Sequence, residues 1–436
     1  MEDVTKVNNV KTKQQSRFDL RLLLSVVLLS TMVFFRDLGY ISFTPIHFIM
    51  AVVLICIALP YNSLKAFYFF YFSMGASIHG VALIPILTAL ILKSKKYNSY
   101  QIIFPVIILS FELLHLLSYS FSVEFSLYIV YGLYITLFFF LLFDDNVNDF
   151  DVKNEMKYYI LGVTVTSIVI FIHSYKFFGF QDIISQNIRV GADFEDYDTE
   201  NEMVTILNPN QLALYGLTAL SLLIYVKDIF CNKMLKTILI ITLVVSGILT
   251  GSRTWIILMA VVLALYFIFS KVRGKLSFAI IMITLLFVTF RFSDFGEIIY
   301  SRYESRFEDS GMSTAGDRTV LFKEYNKWLI NNPHRIFYGA GAEYYNEVCK
   351  IHNSTHNSIQ QIVVCYGIIG LLLFIVCMFV YHKMFPKRNH TLFLYYIPFF
   401  ICFLFSQAGQ FLSPAYMMFP FVAAALPLKL APNIKD

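Results

Sequence analysis

The feature that most constrains this chain is a succession of apolar runs, each about 15 to 22 residues long and almost free of charge, that begins at Leu20 and recurs to Leu428. A helix of that length crosses a hydrocarbon layer about 30 Å thick. Only helices and closed barrels satisfy every backbone N–H and C=O in lipid, and the alternating pattern of a barrel strand is missing. The expected fold is therefore an all-α polytopic membrane protein. Composition agrees, since 58% of the 436 residues are hydrophobic and 14% charged, proportions foreign to a soluble domain of this size.

The net charge of +5 does not point to nucleic acid, because the basic residues fall in short clusters between apolar runs rather than along one polar face. Clusters of that kind orient spans in the membrane. A basic N-terminus (Lys6, Lys11, Lys13, Arg17) precedes the run from Leu20 to Phe35, which lacks a small-residue cleavage site and reads as an uncleaved first span. Of six cysteines, Cys56, Cys365, Cys377 and Cys402 fall in apolar runs, Cys231 in a basic loop and Cys349 in a polar segment. That distribution gives neither a disulfide framework nor a CxxC metal pair.

Spans follow at about 44–59, 102–120, 124–143, 157–175, 209–226, 235–250, 253–270, 275–291, 357–381, 391–408 and 414–429. The run from Leu64 to Leu92 is ambiguous. Read as two short helices broken near Gly75 to Gly80, it places Lys65, the cluster Lys93, Lys95 and Lys96, and the basic N-terminus on one cytoplasmic side. This gives about fourteen transmembrane helices in a single integral membrane domain, 1–436. Residues 1–18 and 430–436 are then cytoplasmic, and 176–207 and 291–356 are outer loops. The longer loop contains an amphipathic helix: Asp317 is a cap, Leu321, Tyr325, Trp328 and Leu329 recur at helical spacing, and Pro333 stops it. It is expected on the membrane surface or over a cavity. Tyr338-Gly-Ala-Gly341 then reads as a flexible turn before the chain returns to His356. No internal repeat is visible.

Arg189, Arg253 in the tight turn Thr250-Gly-Ser-Arg253, Arg318 and His356 all fall on the outer side of this topology. An arginine fork matches phosphate oxygens and stays charged at any working pH, and a histidine titrates near neutrality. Singly, each has a plainer reading: Arg253 as a snorkelling boundary residue, Arg189 as a solvated loop residue, His356 as a helix-cap hydrogen bonder beside Asn357. His334 and His352 share the segment, and spacing does not choose among the three. Asp196-Tyr-Asp198, with Asp193 and Glu195 nearby, has the form of a weak carboxylate metal pattern, but a solvated loop explains it better. Glu112 and His115 lie three apart on one face of a span, where ionisable groups serve a function or satisfy one another.

The order Arg189, Asn208-Pro-Asn210, Gly251-Ser-Arg253, Gly316-Asp-Arg318, Gly339-Ala-Gly341 and His356-Asn357, with Gly367 and Gly370 beyond, resembles the O-antigen polymerase and ligase superfamily of membrane glycosyltransferases over about residues 185–425. The resemblance implies a GT-C-like fold in a bacterial inner (plasma) membrane, with the active site facing the periplasm or cell exterior. It implies an undecaprenyl-diphosphate-linked oligosaccharide as donor and as acceptor, a possible chain-length regulator as partner, and neither metal nor cofactor. Carried over by position, His356 is the base on the acceptor hydroxyl and Arg253 neutralises the departing diphosphate. Arg189, Arg318, Asn210 and Asn357 contact substrate, and Glu112, His115 and His352 are secondary candidates. Fourteen spans favour a polymerase over a ligase. A lipid-linked saccharide flippase or other transporter is the rival from another class, disfavoured by the absence of repeated halves.

Overall fold

The computed structural model describes residues 19–74, 79–119, 123–145, 148–185, 189–191, 207–269, 314–342, 344–351, 355, 357–384 and 419–430. Every element among them is helical: α1 Leu20–Asp37, α2 Pro45–Ala58, α3 Tyr61–Ser73, α4 His79–Lys93, α5 Tyr100–Ser118, α6 Phe125–Leu142, α7 Asp149–Ser185, α8 Pro209–Tyr225, α9 Lys233–Leu249, α10 Arg253–Phe269, α11 Thr314–Asn331, α12 Arg335–Tyr338, α13 Tyr345–Cys349, α14 Ser358–Met384, and α15 Phe419–Ala425 with a 3-10 turn Leu426–Lys429. Tyr100–Ser118, Asp149–Lys176 and Ser358–Met384 are long and apolar enough to cross a membrane, and shorter apolar helices accompany them. The chain is an all-α polytopic membrane protein. The expected spans at 275–291 and 391–408 lie outside the described residues.

The ambiguous run is two helices, α3 ending at Ser73 and α4 beginning at His79. Every residue of α3 from Leu64 to Ser73 is buried, as expected of a helix that is apolar on all sides. It runs parallel to α7. Asn62 donates to Asp151 (2.7 Å), Lys65 meets Glu155 (3.1 Å), and the Thr166 hydroxyl donates to the Ser73 carbonyl (3.2 Å). Beside them α5 and α6 run antiparallel. Gln101 donates to the Phe140 carbonyl at 2.7 Å, and Phe104 stacks on Phe139 and Phe143 with centroids 5.4 and 5.0 Å away. Such ring pairs contribute about 0.5–1.5 kcal/mol each beyond buried area.

Contacts between helix ends sort the bundle into two faces. At the basal end Asp19, which caps α1, accepts from the Ser63 hydroxyl, and Lys93 donates to the carbonyls of Cys56 (2.6 Å) and Ile57 (3.1 Å). There too Asn98 meets Met384 (3.8 Å), and Lys429 donates to the Leu141 carbonyl (2.8 Å). The far ends of α5 and α7 and the junctions α7–α8 and α9–α10 are therefore apical.

Lys65 corrects an expectation. It is not a flanking charge at the membrane surface: it is 1% exposed, with its ammonium 2.6 Å from Asp144 and 3.1 Å from Glu155. Two carboxylates from α7 and the α6–α7 connection supply what an ammonium needs in an apolar interior. Three further boundaries differ from expectation. Helix α7 begins at Asp149 and passes a kink at Gly179 to reach Ser185, so the first outer loop starts as helix. Helix α11 begins at Thr314, which puts Asp317 inside it rather than at its cap. The return toward His356 contains a short helix, α13.

Candidate functional site

The apical end is assembled from three pieces of chain. The first is the junction of α7, α8, α9 and α10. Asn208 caps α8, its side chain accepting from Gln211 N–H at 2.9 Å while Gln211 Oε1 accepts from Asn208 N–H at 3.1 Å, and Pro209 occupies the first helical position. This reciprocal cap fixes where Asn210 stands. Arg189 then joins two motifs: its Nη2 donates to Asn210 Oδ1 and its Nε to the Thr250 carbonyl, each at 2.9 Å. The Val190 N–H donates to the Leu249 carbonyl at 3.1 Å, which fixes the backbone of the same loop. Arg189, Asn208-Pro-Asn210 and Thr250-Gly-Ser-Arg253, scattered over more than sixty residues, thus form one cluster. Both of these acceptors are neutral oxygens. The N-termini of α8 and α10 add positive potential, and a helix N-terminus is a ready site for phosphate. Ser252, 1% exposed, has a hydroxyl without a hydrogen-bond partner among the described residues.

The second piece is the mouth of α14. Asn357 caps it, its Oδ1 accepting from Gln360 N–H at 3.0 Å. The Thr355 hydroxyl donates to Gln361 Oε1 (2.8 Å) and lies 3.0 Å from the Asn357 carbonyl. Helix α11 crosses this first turn. Gln360 Nε2 donates to the Phe322 carbonyl (2.9 Å) and to Asn326 Oδ1 (3.2 Å), and the buried Tyr325 donates to Asn346 (3.0 Å). Leu321, Tyr325 and Leu329 are the buried stripe of α11, while Val320, Phe322 and Ile330 stay exposed. Burial pushes the phenols of Tyr325 and Tyr345 above their ordinary range and the Cys349 thiol up to about 12. All three stay neutral at physiological pH, so none is a base there.

The third piece is the loop after α12, whose backbone is hydrogen-bonded from two sides. Helix α14 kinks at Gly367, whose φ of +65° interrupts the ladder. The carbonyls of Val364 and Cys365 instead accept from Ala340 N–H and Gly341 N–H, both at 2.8 Å. The two backbones touch through glycines. A Cβ on Gly339 would lie 2.3 Å from the Cys365 carbonyl carbon, and one on Gly367 2.2 Å from that of Phe337. From the other side α5 holds the same loop. Glu112 Oε1 accepts from Ala342 N–H (2.8 Å), the Tyr119 hydroxyl donates to the Ala340 carbonyl (2.7 Å), and His115 Nε2 lies 2.9 Å from the Tyr338 carbonyl. His115 Nδ1 faces the Phe111 carbonyl at 2.8 Å, so the ring donates at both nitrogens only as imidazolium. Glu112, His115 and Tyr119 share one side of α5, and Leu113, Leu114 and Leu117 are exposed on the other.

Of the residues expected from sequence, Arg189 and Asn210 meet directly, beside the backbone at which Arg253 opens α10. Asn357 caps the helix that follows His356. Glu112 and His115 each bind loop backbone rather than forming a pair. His352, His356, the side chains of Arg253 and Arg318, and the acidic residues Asp193, Glu195, Asp196 and Asp198 lie outside the described residues. Sequence reasoning took Thr250 and Ser252 only as members of the Thr250-Gly-Ser-Arg253 turn and passed over Tyr119. The signal for Tyr119 is its place two turns beyond Glu112 and one beyond His115 on the same face.

Residues 237–375 match a family model described as O-antigen ligase. The match takes in the Gly251-Ser-Arg253 turn, α10, α11, the glycine crossing and the first part of α14. Comparison with curated proteins and with solved structures gave no match.

Proposed function

We propose that the protein, which matches an O-antigen ligase family model through residues 237–375, is a membrane enzyme of the O-antigen polymerase and ligase superfamily that polymerises undecaprenyl-diphosphate-linked oligosaccharide repeat units into a surface polysaccharide. The observation that supports this reading is the junction at which Arg189 joins Asn210 to the Thr250 carbonyl, next to the N-termini of α8 and α10. Fixed positive charge of that kind suits a diphosphate that gains charge as it leaves.

In this reading His356 takes the proton from the acceptor hydroxyl, and the resulting oxygen attacks the anomeric carbon of the donor sugar. The bond from that carbon to the diphosphate oxygen breaks, and the polyprenyl diphosphate departs with its electron pair. Arg253 and Arg189 stabilise that charge, with Arg318 as a further cation. A base on the acceptor and no second nucleophile give inversion. No metal or cofactor takes part, and excess chelator leaves activity intact. The apical end faces the periplasm or cell exterior.

The test is chain extension by purified protein supplied with diphosphate-linked repeat unit. His356→Ala is expected to lower the rate by about 10²–10⁴-fold and Arg253→Ala by about 10²–10³-fold, with both variants still folded in the membrane. Normal extension by His356→Ala removes the base from this mechanism and passes the role to His352 or His334. The match to an O-antigen ligase family favours a second reading, transfer of finished glycan to lipid A core. In a host that makes lipopolysaccharide, a strain lacking the gene separates the two: core bearing one repeat unit supports polymerisation, and bare core supports ligation.

A further inference from the structure

At the basal end, away from the candidate site, the bundle opens between α1, α2 and α4 into a cavity of about 720 Å³ lined by Arg21, Lys93 and Lys95 with Ile57, Tyr61 and Asn62 among its walls. Among the described residues no carboxylate lines it. Lys93 is held in place by the carbonyls at the end of α2, donating to Cys56 (2.6 Å), Ile57 (3.1 Å) and Leu59, and Arg21 reaches the Ala58 carbonyl at 3.5 Å. Those carbonyls are the negative pole of α2 and orient the cations, but they carry no formal charge. The ion pairs among the described residues involve Lys65 and Lys96 and none of these three. The nearest carboxylate along the chain, Asp19, is engaged by the Arg21 backbone N–H at 3.1 Å and by the Ser63 hydroxyl.

Around the cavity the same helices present bare apolar surface: Leu24 is 59% exposed, Leu54 64%, Ile57 71% and Leu92 79%. In a membrane such residues lie against acyl chains. A basic hollow at a helix boundary above apolar faces matches a ligand with a phosphate at one end and hydrocarbon at the other. We propose that this cavity binds the headgroup of an anionic membrane phospholipid, with its acyl chains lying along α1, α2 and α4. The site is independent of the reaction at the apical end.

The test uses the full-length protein purified in neutral detergent and titrated with phosphatidylglycerol, with phosphatidylcholine or with sodium phosphate, bound lipid being counted by native mass spectrometry. Phosphatidylglycerol is expected to be retained in preference to phosphatidylcholine. Arg21→Gln with Lys95→Gln is expected to weaken it by on the order of tenfold or more, at roughly fivefold per cation removed. Lys233→Gln, at the basal start of α9, leaves retention unchanged. If the double variant does not fold, Lys95→Glu alone, at an exposed side chain, is expected to lower retention in the same direction. Equal retention by parent and variant, no preference over phosphatidylcholine, or displacement of the lipid by equimolar sodium phosphate overturns the proposal.

Discussion

The two ends of the bundle are fastened by different chemistry. At the basal end charged and polar side chains meet in the interior: Lys65 lies between Asp144 and Glu155, Asp151 accepts from Asn62 and Asn148, and Lys429 closes over the carbonyls of Leu141 and Asp144. At the apical end the fastening runs through backbone. Arg189 donates to a carbonyl and an amide oxygen, the glycine loop donates to carbonyls released by a kink, and Glu112, His115 and Tyr119 all bind main-chain atoms. A buried charge pair fixes helices by mutual attraction, whereas hydrogen bonds to main-chain atoms fix the course of a loop. The basal core is suited to hold helices together, and the apical contacts to hold loops in place.

The largest effect expected from this contrast is at the glycine crossing. Gly367→Ala sets a methyl 2.2 Å from the Phe337 carbonyl carbon, where only backbone stands, and should destabilise by more than about 4 kcal/mol. The readout is loss of folded protein from detergent extracts, and a variant of normal yield would show that the crossing is not tight. Next comes Lys65→Met, which leaves Asp144 and Glu155 buried without their cation and should cost about 3–5 kcal/mol, measured as a fall in thermal midpoint. A neutral result would make the basal cluster dispensable and undo the comparison.

Smaller effects separate acceptor from charge at Glu112. Glu112→Ala orphans the buried Ala342 N–H at about 1–3 kcal/mol. Glu112→Gln keeps an oxygen there and should cost less than about 1 kcal/mol. If glutamine is as damaging as alanine, the negative charge itself matters and α5 takes part in more than loop placement. The last expectation changes no stability. Exposed Cys231 should react with maleimide at pH 7, while Cys349, buried and with its thiol held up to about 12, should react only after denaturation. Because the thiolate is the reactive form and appears only as pH rises toward that value, raising the pH from 7 to 9 should not bring Cys349 into reaction. In intact cells a membrane-impermeant reagent should miss Cys231, and labelling from outside would invert the proposed orientation.

Much of the fold was legible because lipid leaves the backbone few options. The break between α3 and α4 followed from glycines and charge bias, and the alignment of Arg189, the Asn-Pro-Asn cap and the Gly-Ser-Arg turn at one end followed from counting spans. What the count missed was partnership. Lys65 looked like a boundary charge because its carboxylates are contributed by Asp144 and Glu155, some eighty and ninety residues away. Gly339-Ala-Gly341 looked flexible because its acceptors are freed by a kink in α14, and a kink at Gly367 is not written in local propensity. Helix α7 outran its apolar window because packing against α3 and α8 extends a helix beyond the residues that face lipid.

The sequence by itself determined that the chain is an all-helical membrane protein, roughly where its helices start and stop, and which polar segments share a face. Those properties depend on hydrophobic length, capping residues and glycine, all of which act within a few residues. Only the tertiary structure decided that Glu112 and His115 hold a loop more than 220 residues away, and that Arg189 binds Asn210 and Thr250 together. It alone revealed a basic hollow of about 720 Å³ at the opposite end. Hydrogen bonds and charge pairs act over a few ångströms, and which groups come that close is set by how the helices pack.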